Sequence, residues 1–191
     1  MQSLPNILTF GRVLAVPAIV LAFYLPGEGR YWVAFVLFVL AAVTDFFDGW
    51  LARKLEATSE LGKLMDPIAD KLLVAAALLV LVWDGIIGGV SVLAAFIILA
   101  REFLVSGLRE FLAASRISVP VTQLAKWKTT VQLIALAILL TGPAGASVWS
   151  GAPMTGLIAL WIAAVLTFIT GADYMIKALP HLKAANGTGG S

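Results

Sequence analysis

The chain has 191 residues, 61% of them hydrophobic and 13% charged, with a mean hydropathy of +0.99. Soluble domains are nearer half apolar and a quarter charged, so a water-solvated globule is excluded and an integral membrane protein is expected. A formal net charge of +2 gives no basis for nucleic-acid binding, the lack of cysteine excludes disulfide and thiolate chemistry, and a lone histidine, His181, argues against a histidine metal site or triad.

A helix needs about 20 mostly apolar residues to cross the hydrocarbon core. Six segments qualify, at roughly 6–25, 31–52, 62–83, 88–113, 124–142 and 153–178. Ahead of the first, Ser3-Leu4-Pro5-Asn6 either caps the helix or forms a short interfacial segment. That first stretch has neither a strongly basic leader nor a small-residue cleavage pattern, so no cleavable signal peptide is expected. Pro26-Gly27-Glu28-Gly29 breaks spans one and two. The second span ends and the third begins in an acidic stretch. Asp84-Gly85 and Gly88-Gly89 separate spans three and four, and Gly142-Pro143-Ala144-Gly145 reads as the loop between five and six. Residues 1–183 thus form one domain, an all-α bundle of six transmembrane helices, and 184–191 read as a flexible tail.

Basic residues orient the bundle. With six spans both termini share a side, which would hold Arg12, Arg53, Lys54, Lys63, Arg109, Arg116, Lys126, Lys128, Lys177 and Lys183; the opposite loops hold only Arg30. The side rich in positive charge is cytoplasmic. Trp32, Trp83 and Trp149 then fall at outer ends, and Trp50 and Trp127 at inner ends, as aromatic belts require. Glu28 and Asp84 read as loop charges. Arg116 and Lys128 read as positively charged anchors, and Phe46, Phe47 and Trp50 as packing or lipid contacts.

Four aspartates lie where the inner ends of spans two and three should meet the cytoplasm. An ionised carboxylate at mid-bilayer costs at least about 2.5 kcal/mol, so the group calls for a neutralising cation. Asp45 and Asp48 are three apart and share a helix face that Ala52 extends; Gly62, Asp66 and Asp70 are four apart and form a second stripe. Two helices joined by a short loop run antiparallel, so the stripes can face each other across a polar cavity. Hard oxygen donors suit Mg²⁺ or Mn²⁺. Gly49 and Gly62 on the same faces either let the helices approach closely or, as the surrounding carboxylates favour, leave room for a ligand, and Arg53 supplies a cation suited to phosphate.

Asp-x2-Asp-Gly-x2-Ala-Arg-x8-Gly-x3-Asp-x3-Asp is met in full by Asp45, Asp48, Gly49, Ala52, Arg53, Gly62, Asp66 and Asp70. In this the chain resembles the CDP-alcohol phosphotransferase family. The resemblance implies six transmembrane helices, a homodimer, and transfer of a phosphatidyl or similar group from a CDP-linked donor to an alcohol with release of CMP. It also implies that Asp45, Asp48, Asp66 and Asp70 hold two divalent cations, with Asp70 as general base. Asp48, Gly49, Ala52, Arg53 and Gly62 would line the CDP site.

Arg101-Glu102 recurs as Arg109-Glu110 eight residues later, and positions 101, 105 and 109 share a helix face. Two guanidinium groups on one face can clamp a phosphate. Each arginine could instead pair with its neighbouring glutamate. Lys126-Trp127-Lys128-Thr129-x2-Gln132 and Leu4-Pro5-Asn6-x2-Thr9-x2-Arg12 add cations, although Arg12 could equally be an anchor. Together these segments resemble the branch of the family that uses sn-glycerol 3-phosphate. That likeness implies acceptor binding by Arg101, Arg109, Lys126 and Arg12, CDP-diacylglycerol as donor, and a bacterial inner membrane location with the site facing the cytoplasm. Related branches accept inositol phosphate, inositol or serine. A divalent-cation transporter is the rival from another class, but the acidic cluster sits at one end of the bundle and the outer halves of the spans are almost free of polar groups. Asp173 and Lys177, four apart, should pair with each other.

Overall fold

The computed structural model describes the backbone of residues 3–55, 60–114, 117 and 123–187. Within that range the side chains of 3–10, 46–55, 60–64, 66, 114 and 181–187 are not described. The regular elements among the described residues are helices: α1 (Ser3–Ala22), α2 (Gly29–Leu55), α3 (Glu60–Trp83), α4 (Ser91–Ala114), α5 (Gln123–Leu140), α6 (Gly142–Val148) and α7 (Ala152–Gly187). Six long helices match the six expected segments. Of the connection expected near 54–61, residues 54–55 and 60–61 are helical, the ends of α2 and α3; 56–59, most of 114–123 and the end of the tail, 188–191, lie outside the described residues.

Long apolar runs make these helices, and their faces do not divide into core and water. Buried Ile19, Phe23, Phe38, Leu81, Ile98, Leu136, Leu139 and Leu160 form one continuous core. Leu14, Leu79, Phe96, Ile134, Ile162 and Phe168 point outward and are exposed. Helices apolar all round suit a hydrocarbon surround, where every backbone polar group is satisfied within the helix. Among the described residues, Ser91–Ala113 and Ala152–Pro180 are long and apolar enough to cross a membrane. The bent pair α5 and α6 would make a third span if counted as one.

Helix order fixes two ends. α1 packs on α2 and α3, while α7 packs on α4 and α5. Trp161 Nε1 donates to Ser91 Oγ at 3.3 Å, and a Cβ added at Gly171 would meet Arg101 Cγ at 2.8 Å, so α4 and α7 run in parallel. A Cβ at Gly156 would lie 2.7 Å from Leu139 Cδ2, which sets α5 antiparallel to α7. The starts of α1, α3 and α5 and the ends of α2, α4 and α7 therefore share one end of the bundle.

The opposite end is held by a polar clasp. Arg30 Nη2 donates to Asp84 Oδ1 at 2.8 Å and to the Tyr31 hydroxyl at 2.7 Å. That hydroxyl donates to Asp84 Oδ2 at 2.8 Å. Arg30 Nη1 also reaches the Phe23 carbonyl at 3.3 Å. Asp84 is therefore no solvated loop charge, as its place in a turn had suggested: only 10% of its side chain is exposed. Removing a buried acceptor costs about 1–3 kcal/mol. Asp84→Ala is expected to lower the thermal unfolding midpoint in detergent while leaving turnover per folded molecule unchanged. Equal midpoints for variant and wild type would contradict it.

The segment expected as a loop at 142–145 is the start of α6. Gly142 takes φ +50°, and Pro143 at the first turn of α6 has no N–H to leave unsatisfied. The chain turns by 86° between α5 and α6. A side chain at Gly142 would strike the Tyr31 ring at 2.6 Å, so glycine is needed there for both backbone and space.

Candidate active site at one end of the bundle

The first part of the site is built by α1, α2 and α3. Asp45 lies in α2 and Asp70 in α3. Arg12 of α1 places Nη1 2.7 Å from Asp45 Oδ1 and 2.7 Å from Asp70 Oδ1. The two carboxylate oxygens meet at one nitrogen, so they are no further apart than twice that distance. Two of the four aspartates singled out in the sequence, from two helices, are thus brought together. Asp48, Gly49, Ala52 and Arg53 follow Asp45 along α2, and Gly62 and Asp66 precede Asp70 along α3. Their side chains lie outside the described residues. Pro67 removes one N–H from the α3 ladder between Asp66 and Asp70, and Lys71 Nζ donates to the Pro67 carbonyl at 2.6 Å.

This donor set fits a hard divalent cation. Two carboxylate oxygens already converge on a positive group, and Asp48 and Asp66 stand three residues after and four before them on the same helices. Among the described residues no group of three or more potential ligands is found, and the side chains of Asp48 and Asp66 lie outside them.

The second part is built by α4, α5 and α7. Arg101 and Arg109 both face α7: the stem of Arg101 lies against Gly171, and the Arg109 guanidinium lies 5.7 Å from the Tyr174 ring centroid. The shared face read from the eight-residue repeat is the face that packs on α7. Arg101 is 15% exposed, and its Nη1 lies 3.8 Å from Glu102 Oε1. Lys126 is exposed at the first turns of α5. Ser106 Oγ donates to Glu110 Oε1 at 3.3 Å, a pairing the sequence did not indicate.

Lys128 is not the membrane-face anchor its sequence position suggested. Its side chain is only 3% exposed and its ammonium donates to Glu102 Oε1. A lysine inside an apolar bundle is held there by a carboxylate. Glu102 thus faces two cations, Arg101 and Lys128, and leaves this end with a surplus of positive charge. Breaking a buried pair costs about 3–5 kcal/mol. Glu102→Ala is expected to unfold the protein at markedly lower temperature, and adding Lys128→Met should recover part of the loss. A double variant no more stable than Glu102→Ala alone would contradict the pairing.

Three other residues are noteworthy. Gln132, one turn beyond Lys128, and Thr167 of α7 are buried, each with a side-chain oxygen lacking a hydrogen-bond partner. Gly171 carries no motif; only the packed α4–α7 contact reveals why a side chain is not accommodated there. The expected Asp173–Lys177 pair is present at 2.7 Å.

A family model described as CDP-alcohol phosphatidyltransferase matches residues 2–169. Several bacterial proteins described as CDP-diacylglycerol–glycerol-3-phosphate 3-phosphatidyltransferase are similar along most of the chain. The one from Rickettsia bellii is 49% identical over 173 residues, covering 91% of this chain and 93% of the relative. The Cereibacter sphaeroides protein is 43% identical over 215 residues, covering 95% and 97%. The Escherichia coli protein is 40% identical over 182 residues, covering 94% and 97%.

Proposed function

The chain belongs to the CDP-alcohol phosphatidyltransferase family, and on that premise we propose that it transfers the phosphatidyl group of CDP-diacylglycerol to sn-glycerol 3-phosphate, giving phosphatidylglycerol phosphate and CMP. The observation that carries this reading is the pairing of two sites at one end of the bundle. Carboxylates from α2 and α3 converge there, and a guanidinium pair on α4 faces α7. The first suits a diphosphate with its cations, and the second suits a phosphorylated acceptor. The curated relatives carry the name of this reaction.

The protein is a six-span bundle of the bacterial inner membrane, with both termini and the polar cavity on the cytoplasmic side, and it works as a homodimer. The excess of basic residues at the end that holds Arg12, Arg109 and Lys126 supports this orientation. Trp32, Trp83 and Trp149 at the other end suit the second membrane interface.

Asp45, Asp48, Asp66 and Asp70 hold two divalent cations, Mg²⁺ or Mn²⁺. When bound, these neutralise the diphosphate and stabilise charge on the attacking and leaving oxygens. Gly49, Ala52 and Gly62 leave space for the cytidine diphosphate along α2 and α3, and Arg53 adds a donor for its phosphates. The acyl chains of the donor stay in lipid. Arg101, Arg109 and Lys126 grip the acceptor phosphate, whereas Arg12, offered by the sequence as a further acceptor ligand, is buried against Asp45 and Asp70. The carboxylate of Asp70 takes the proton from the acceptor 1-hydroxyl. That oxygen forms a bond to the phosphorus bearing diacylglycerol, the bond from that phosphorus to the bridging oxygen breaks, and CMP leaves with the electron pair. No side chain is covalently modified.

The acceptor is tested by giving purified protein CDP-diacylglycerol with glycerol 3-phosphate, inositol phosphate, inositol or serine in turn. CMP release with glycerol 3-phosphate alone is expected. CMP release only with another alcohol would overturn the assignment while leaving the family chemistry in place.

A further inference from the structure

We propose that Arg12 is a positioning residue for the metal-binding carboxylates: it fixes Asp45 and Asp70 from inside the bundle and orients them for the divalent cations. This rests on the reading above that those aspartates hold metal.

Burial sets the two roles apart. The Arg12 side chain has no exposed surface, whereas the side chains of Asp45 and Asp70 are 43% and 49% exposed. The guanidinium therefore lies on the buried side of the carboxylates, and both carboxylates keep exposed surface. Moving an unpaired guanidinium out of water costs several kcal/mol, so a buried arginine stays with its partners. One nitrogen contacts Oδ1 of both aspartates at 2.7 Å. That nitrogen comes from α1, while the carboxylates come from α2 and α3, so a single cation sets the relative position of ligands on two helices. Carboxylates this close repel unless a positive charge lies between them. Arg12 supplies that charge from the buried side of the pair. Carboxylate ligands are commonly oriented by hydrogen bonds from groups beyond the metal, and Arg12 has the burial, charge and reach for that role. Two other basic residues at this end are engaged elsewhere: Lys128 with Glu102, and Arg101 against Gly171 of α7.

A clamp on the acceptor phosphate and a brace on the carboxylates give different readouts. The test measures Mn²⁺ affinity of the purified full chain by calorimetry or electron paramagnetic resonance, alongside the KM for glycerol 3-phosphate. Arg12→Met is expected to bind Mn²⁺ about 10- to 100-fold more weakly than wild type, with an unchanged KM for glycerol 3-phosphate at saturating metal. Arg12→Lys keeps the charge but has no fork to span two carboxylates, and should fall between the two. That variant carries the test if Arg12→Met does not fold. Mn²⁺ binding as tight as wild type in the variants would overturn the proposal. So would a raised KM for glycerol 3-phosphate with unaltered Mn²⁺ affinity, which would make Arg12 an acceptor ligand. If the wild-type protein binds no Mn²⁺ or Mg²⁺ at all, the metal reading itself fails, and the brace fails with it.

Discussion

Asp70→Asn is expected to lower turnover by about 100- to 10,000-fold, the range of a lost general base, under conditions where the metals are still bound. Asparagine is close to isosteric and keeps one oxygen toward Arg12, so the bundle should stay folded. It cannot accept the proton of the acceptor hydroxyl. The side chain belongs both to the metal cradle and to the proton transfer, so Mn²⁺ affinity must be measured on the same sample. Loss of turnover with metal retained assigns the proton to Asp70. Turnover near wild type with metal retained removes Asp70 as the base. Asp45→Asn differs in kind: its effect should appear first as weakened metal binding, because Asp45 has no place in the proton step.

The second large effect belongs to the acceptor. Arg101→Ala is expected to lower kcat/KM for glycerol 3-phosphate by about 100-fold or more, the cost of deleting one partner of a desolvated charge pair. The KM for CDP-diacylglycerol should not move. Gly171→Ala offers a milder probe of the same group, since its methyl would press on Arg101 Cγ at 2.8 Å. It should raise the KM for glycerol 3-phosphate without removing any charge. A rise in the KM for CDP-diacylglycerol in either variant would place Arg101 on the donor instead.

The parts of this site that depend on helical period alone were legible from sequence. Arg101 and Arg109 stand eight apart, so the face they share toward α7 follows from 3.6 residues per turn; the side chains of Asp48 and Asp66, read by the same rule, lie outside the described residues. The Asp173–Lys177 pair follows the same rule. What was not legible depends on which helices pack together. Arg12 and Asp70 are 58 positions apart, and Lys128 and Glu102 are 26 apart. The place of Lys128 near a helix start signalled an interfacial anchor, yet the face it occupies turns inward. Asp84 sits in a turn, and only the approach of α2 brings Arg30 and Tyr31 to it. The glycine and proline at 142 and 143 signal a break in any chain. That the break opens a short helix is seen only in the fold, where α6 begins at Gly142.

The most direct test is incorporation of radiolabelled glycerol 3-phosphate into lipid by the purified protein in liposomes containing CDP-diacylglycerol and Mn²⁺ or Mg²⁺. One CMP released per labelled lipid formed is expected, with incorporation abolished by a chelator and in Asp45→Asn. Label that stays in the aqueous phase while CDP-diacylglycerol, metal and folded protein are all present would contradict the account.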